Sequence, residues 1–233
     1  MTKRTIGRRE ALGALGTAGA ALAFGCGGDS PTGASGETGG TGTSTTSTNA
    51  SCAVTPTETV GPYPSLNDMF RSDIREGKAG TLLALTIKVV NAASACSPIA
   101  GANVEIWHVD AAGDYSQYGT QRAATFLRGI QTTNANGEVV FTTIYPGWYQ
   151  GRATHIHVEL TMGGVSRKVT QIAFTESVNA TVHRSGAYAS RGSNPIANTS
   201  DGIFADSLSS EIVTPVGDPT TGYAATFQVG IAA

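Results

Sequence analysis

Charge is scarce in this chain, and cysteine scarcer. Of its 233 residues only 14% are Asp, Glu, Lys or Arg, and the formal net charge is −2. Lys3, Arg4, Arg8 and Arg9 against Glu10 give the first 26 residues a local +3, which leaves −5 for the remainder. A mildly acidic domain has no basic stripe to neutralise phosphates, so a nucleic-acid binder is excluded. Long apolar runs are missing as well. The longest, Ala11 to Gly25, holds about 15 residues rich in Ala and Gly, short of the roughly 20 that span a bilayer as a helix. No G-x-S-x-G elbow and no glycine-rich phosphate loop occurs, which argues against a Ser/His/Asp hydrolase and a nucleotide-binding enzyme. Helical periodicity is equally hard to find.

What the N-terminus does contain reads as an address. Residues 1–26 combine a basic start, the apolar segment ALGALGTAGAALAFG and small residues after it, the three parts of an export signal. Arg8 and Arg9 stand just ahead of the apolar segment, as in twin-arginine signals that export folded proteins. Cys26, in the context LAFGCGG, resembles a bacterial lipoprotein cleavage site whose cysteine is acylated, although Ala23 stands where Leu is usual. The other reading is an ordinary secretory peptide that takes Cys26 away with it. Residues 27–51 hold 7 Gly, 7 Thr and 5 Ser and no aromatic or branched aliphatic side chain, the composition of a flexible tether. As a random coil it reaches on the order of 25 to 30 Å, enough to hold a domain clear of an envelope surface. An exported, envelope or extracellular location is expected, with membrane association through a lipid on Cys26. In such an oxidising compartment the two remaining cysteines, Cys52 and Cys96, are expected to pair.

Residues 52–233 read as one all-β domain, a single β-sandwich with long loops and little helix. Period-two or β-branched runs place strands at Thr81–Val90, Asn103–Val109, Glu138–Ile144, His155–Leu160, Arg167–Phe174 and Ala224–Ile231. Turn clusters such as TTNANGE, YPGWYQG and TMGGV separate them. The Ser-, Asn- and Gly-rich stretch 177–219 is expected to form loops, with one helical turn near 205–212.

His155 and His157 form an H-x-H on one of these strands. Alternate strand residues face one side, about 6 to 7 Å apart at the backbone, which suits a shared metal ion. Tyr149 and Arg152 stand in the six residues before them, a density of chemistry beyond what packing asks. Glu159 falls on the same face, so a zinc or ferrous site of His155, His157 and Glu159 is a rival. Upstream, GANVEIWHVDAAGDYS carries Tyr115 as a half-buried strand-end aromatic and His108 as an edge histidine.

Taken together these segments resemble the intradiol ring-cleavage dioxygenases, ferric enzymes that split catechols between their two hydroxyl-bearing carbons. The matching elements are TETVGPYP (57–64), GANVEIWHVDAAGDYS (101–116), FLRGIQTTNANGEVVFTTIYPGWYQGRATHIHVEL (126–160) and VTQIAF (169–174). The resemblance implies one Fe(III) per chain, with Tyr115 and Tyr149 as phenolate ligands and His155 and His157 as imidazole ligands. It further implies that Tyr149 leaves the iron to take a substrate proton and that Arg152 stabilises negative charge on the bound ring. Gln171 and Tyr63 match family positions that line the pocket. His108 and His183 fall outside the ligand pattern, His183 as a solvated loop residue. The catechol 1,2-dioxygenases carry a long helical N-terminal region that joins two subunits, whereas only about 30 residues precede the core here. The short exported branch is therefore the nearer likeness, and the oligomeric state stays open. The partners implied are a small catechol and O2. A transthyretin-like β-sandwich binding module without turnover is the reading from another class.

Overall fold

The computed structural model describes residues 52–233, so the export signal, the tether and Cys26 lie outside the described residues. Ten strands form two five-stranded sheets. The first sheet has the order β2 (Ser97–Pro98), β1 (Leu82–Asn91), β10 (Gly222–Ile231), β9 (Val216–Asp218), with β5 (Glu138–Ile144) also pairing with β1. The second has the order β4 (Arg128–Thr132), β3 (Asn103–Trp107), β6 (His155–Met162), β7 (Val165–Phe174), β8 (Ile212–Val213). Each of the six expected strands is present. Their alternation explains the packing: Leu83, Leu85, Ile87 and Val89 of β1 and Tyr223, Ala225, Phe227 and Val229 of β10 face inward from one sheet, and Val104, Ile106, Ile156, Val158, Leu160 and Ile172 meet them from the other. Among the described residues no helix is long and apolar enough to cross a membrane.

Two features depart from the strand reading. β1 and β10 pair in parallel, Leu83 opposite Tyr223 through Asn91 opposite Ile231, so the two ends of the domain lie side by side in one sheet. β4, RGIQT, shows no alternating pattern in sequence because Gly129 interrupts it. That glycine sits where the chain passes close to its neighbours, since a Cβ there would come within 2.6 Å of the Ile74 side chain. The expected 177–219 loop is preceded and entered by a short helix, α1 (Glu176–Val182), and the expected turn near 205–212 is α2 (Leu208–Glu211). The sequence ESVNATV is a poor helix former. Tertiary contacts hold α1 instead, as Asn179 donates to the Phe174 carbonyl at 3.1 Å and accepts from the Tyr145 hydroxyl at 2.7 Å.

Cys52 and Cys96 are disulfide-bonded, with Cα atoms 5.5 Å apart and 44 residues between them in sequence. The bond ties the start of the domain to the turn between β1 and β2.

Candidate active site

The site lies on the outer face of the second sheet, opposite the core. Ile156, Val158 and Leu160 of β6 point inward, so His155, His157 and Glu159 must point outward. The register places Trp107 of β3 and Gln171 of β7 on either side of His157. Trp107 stacks on the His157 ring, centroids 4.8 Å apart and planes within 1°. All three side chains are buried although they lie outside the sandwich core, because two loops cover this face.

The first cover is the arm 55–66, which both sheets capture by hydrogen bonds. Thr55 N–H donates to the Gly230 carbonyl and Glu58 N–H to that of Val169, each at 2.9 Å. Lys168 donates to the Thr55 carbonyl at 2.6 Å, and Gln171 Nε2 to the Thr59 carbonyl at 3.0 Å. The second cover is the loop 108–127. Asp110 shapes it, accepting from the backbone N–H groups of Ala112 and Asp114 at 3.0 Å each and pairing with Lys78 at 2.6 Å. Arg128, fully buried, ties the two covers together. It donates to Ser116 Oγ at 2.9 Å, the Ser116 carbonyl at 2.8 Å and the Tyr63 carbonyl at 2.9 Å.

Four aromatic rings converge between these covers and the sheet. Ring centroids are 5.5 Å apart for Tyr115 and Tyr149, 5.8 Å for Tyr149 and His155, 4.7 Å for His155 and His157, and 6.3 Å for His157 and Tyr115. The Nε2 atoms of the two histidines face each other at 3.2 Å. His155 Nδ1 donates to the Ala153 carbonyl at 2.7 Å, since a carbonyl only accepts, so its Nε2 carries the free lone pair. Burial, helped by the nearby Arg152 charge, lowers the His155 pKa to about 3. Burial likewise holds His157 well below its ordinary value, with His155 adding to the effect. Both imidazoles are therefore neutral and available as ligands. The Tyr115 hydroxyl and His157 Nδ1 are buried with no protein partner, a costly state for a polar atom. Burial raises the pKa of both phenols as isolated groups.

A cavity of about 240 Å³ opens onto this cluster, lined by Tyr63, Asp114, Tyr115, Tyr118, Gln121 and Tyr149 among others. Tyr63 packs its ring 4.8 Å from Tyr115 and 6.0 Å from Tyr149. Arg152 lies near Tyr149, close enough for its charge to favour the ionised phenol. Its Nη2 donates to Gln171 Oε1 at 2.6 Å and its Nε to Asp201 at 2.8 Å.

The structure thus brings together Tyr63, Tyr115, Tyr149, Arg152, His155, His157 and Gln171. Three expectations need correction. His108 is no edge histidine: it is fully buried, donating from Nδ1 to the Val109 carbonyl and accepting from Thr143 Oγ1, both at 2.8 Å. His183 is not solvated either. It is 1% exposed as the C-cap of α1, with Nε2 on the Pro146 carbonyl at 3.3 Å. The rival site with Glu159 gains no support, since no three His, Cys, Asp or Glu side chains converge on one point among the described residues. Glu159 instead faces Glu105 across the β3–β6 register. Asp201, Arg128 and the stacking Trp107 were not singled out from sequence. Asp201 sits in a stretch that carries no motif, and its role exists only through a contact 49 residues back in the chain.

Known proteins share this fold. The dioxygenase family profile matches residues 59–185. An intradiol ring-cleavage dioxygenase from Tetranychus urticae is 33% identical, with a TM-score of 0.68 over 77% of this chain and 94% of that one. The crystal structure of another dioxygenase is 31% identical, with a TM-score of 0.70 over the same shares. The dioxygenase domain of a dioxygenase–carbohydrate-binding fusion protein from Streptomyces sp. SirexAA-E is 26% identical, with a TM-score of 0.58 over 77% of this chain and 98% of that one. With a profile match over more than half its length and close relatives sharing its sandwich, this chain belongs to the intradiol ring-cleavage dioxygenase family of oxygenases.

Proposed function

We propose that the protein is a non-haem Fe(III) intradiol dioxygenase that cleaves a catechol-type aromatic between its two hydroxyl-bearing carbons. O2 is the co-substrate and a cis,cis-muconate-type dicarboxylic acid the product. One carbon–carbon bond breaks, both oxygen atoms are retained in the product, and no external reductant is required. The observation that carries this reading is the convergence of two phenols and two neutral imidazoles on one buried point, where the two histidine Nε2 atoms face each other and the Tyr115 hydroxyl has no protein partner.

The residues fit a ferric ion. Phenolate oxygen is a hard anionic donor, and two of them offset two of the three metal charges. Tyr115, Tyr149, His155 and His157 would hold the ion, and deprotonation on binding answers the otherwise expensive burial of the Tyr115 hydroxyl. The metal supplies a chelation point for the two catechol oxygens and draws electron density from the ring, making a ring carbon open to O2.

The chain's own residues supply the rest. Both phenols line the cavity, but Tyr115 is buried and clamped between the covers, whereas Tyr149 is only half-buried. Tyr149 is accordingly the one placed to give way to a catechol hydroxyl and take its proton. Arg152, held beside Tyr149, brings a guanidinium to offset negative charge on the bound ring. Gln171 pins Arg152 from the sheet, and Tyr63 with Tyr118 gives the ring flat apolar walls. Trp107 fixes the His157 ring plane.

The test is the visible spectrum and iron content of the purified protein, before and after catechol is added without oxygen. A broad phenolate-to-iron band that moves to longer wavelength with catechol is the expected result. Colourless protein that takes up no iron on ferric or ferrous reconstitution would leave a binding module without turnover. Location is part of the proposal: Arg8, Arg9 and the 27–51 tether support an exported, envelope-held enzyme. Mass measurement of membrane-extracted protein tests the anchor, and absence of a diacylglycerol on Cys26 overturns it.

A further inference from the structure

Asp201 lies beyond the residues that the family profile matches, at the C-cap of the short 3-10 turn Asn198–Ser200. Its side chain is completely buried. One carboxylate oxygen accepts from Arg152 Nε at 2.8 Å and from the Ala153 backbone N–H at 2.6 Å, and the other accepts from Ile203 N–H at 2.8 Å. An exposed ion pair would have little hold on a flexible arginine. Here the carboxylate is out of water and its two bonds to one segment fix both the guanidinium and the backbone that carries it. Arg152 is then gripped from two directions, by Asp201 at Nε and by Gln171 at Nη2, and its position beside Tyr149 follows. Ala153 in turn supplies the carbonyl that sets the His155 tautomer.

We propose that Asp201 is a positioning residue of this active site, acting through Arg152 to hold the guanidinium beside Tyr149 where a catechol displaces it. The inference rests on the intradiol reading above. Asp201 is absent from the cavity lining, so its effect on ligand binding is indirect, by way of Arg152 or of the Ala153 backbone that leads to His155, and only the first route disappears when Arg152 is removed.

A double-mutant cycle tests this without relying on turnover. Iron-loaded wild type, Asp201→Asn, Arg152→Ala and the double variant are titrated with 4-nitrocatechol under nitrogen, and affinity is read from the colour change. Thermal unfolding and iron content are measured on the same samples. Asparagine removes the negative charge that holds the guanidinium and turns its NH2 toward one of the donors already there, Arg152 and Ala153 or Ile203, so the grip on Arg152 weakens. With Arg152 present, Asp201→Asn should weaken 4-nitrocatechol binding about tenfold, in line with the cost of a misplaced group in a site. In the Arg152→Ala background it should change affinity less than twofold. Equal losses in both backgrounds, or no loss with Arg152 present, would overturn the proposal. If Asp201→Asn yields no folded protein, Asp201→Glu carries the same cycle, since it keeps the charge but displaces the carboxylate by one methylene. Wild-type protein that binds no iron and no 4-nitrocatechol is a separate result, visible before any variant is made, and overturns the intradiol reading itself.

Discussion

Gly61 offers a sharp test of how the N-terminal arm shapes the site. Its φ is +72°, and a Cβ built there would lie 3.1 Å from His157 Cε1. Neither side of that contact can give way easily. His157 is 1% exposed and stacked on Trp107, while the arm is pinned before Gly61 by Gln171 on the Thr59 carbonyl and after it by Arg128 on the Tyr63 carbonyl and Tyr118 on that of Pro64. Gly77 supplies the control, with φ +73° and nothing within 4 Å of its Cβ position. Alanine at either position bears the left-handed backbone cost of roughly 1 to 2 kcal/mol. For a domain of this size that corresponds to a fall of about 2 to 8 °C in Tm. Only Gly61→Ala also presses on His157. Both variants should therefore melt earlier than wild type, by calorimetry, but only Gly61→Ala should lose iron or shift the visible band, with catechol turnover falling in parallel. If Gly61→Ala matched Gly77→Ala in iron content, spectrum and kcat/KM, the argument that the arm backs the His157 ring would be wrong.

Other outcomes follow from the same geometry. Tyr115→Phe and Tyr149→Phe should each weaken ferric binding or move the visible band, Tyr115→Phe the more severely because its ring is locked between the covers, and metal analysis with absorbance checks this. Replacing Cys52 and Cys96 together with Ser removes a 44-residue loop constraint and should lower stability by about 2 to 4 kcal/mol in urea unfolding, with the iron site intact. Glu211 is fully buried, accepting from Thr170 and Ser207, and burial raises its pKa to about 7. Between its ordinary value of 4.5 and about 7 the folded state holds a proton that the unfolded state has lost, so stability falls as pH rises through that window, by on the order of 2 kcal/mol. Glu211→Gln should flatten this slope in denaturant titrations at pH 5 and pH 7. An unchanged slope would show that Glu211 does not titrate there.

The second-sheet face on which the chemistry sits was legible because strand alternation is local. Once His155 and His157 lie on one strand whose other residues are Ile156, Val158 and Leu160, their common side follows from a period of two. The family motifs then identified Tyr115, Tyr149, Arg152, Gln171 and Tyr63, and the fold delivers all five to one place. The same local logic failed for His108 and His183. Single histidines carry no periodicity, and whether one is solvated depends on what packs over it, here Thr143 from β5 and the Pro146 carbonyl.

By itself the sequence determined the inward and outward sides of each strand, the sandwich class, the cysteine pair and the residue types that make the site chemically capable. These depend on side-chain periodicity and on composition, which are properties of neighbours along the chain. Tertiary structure alone decided that β1 pairs with β10 across the whole length of the domain, that the arm returns so Gly61 backs His157, and that Asp201 grips Arg152. Each is a contact between segments tens to more than a hundred residues apart. Such a contact is set by the burial and hydrogen bonding of the complete sandwich, and no local stretch of sequence carries its signature.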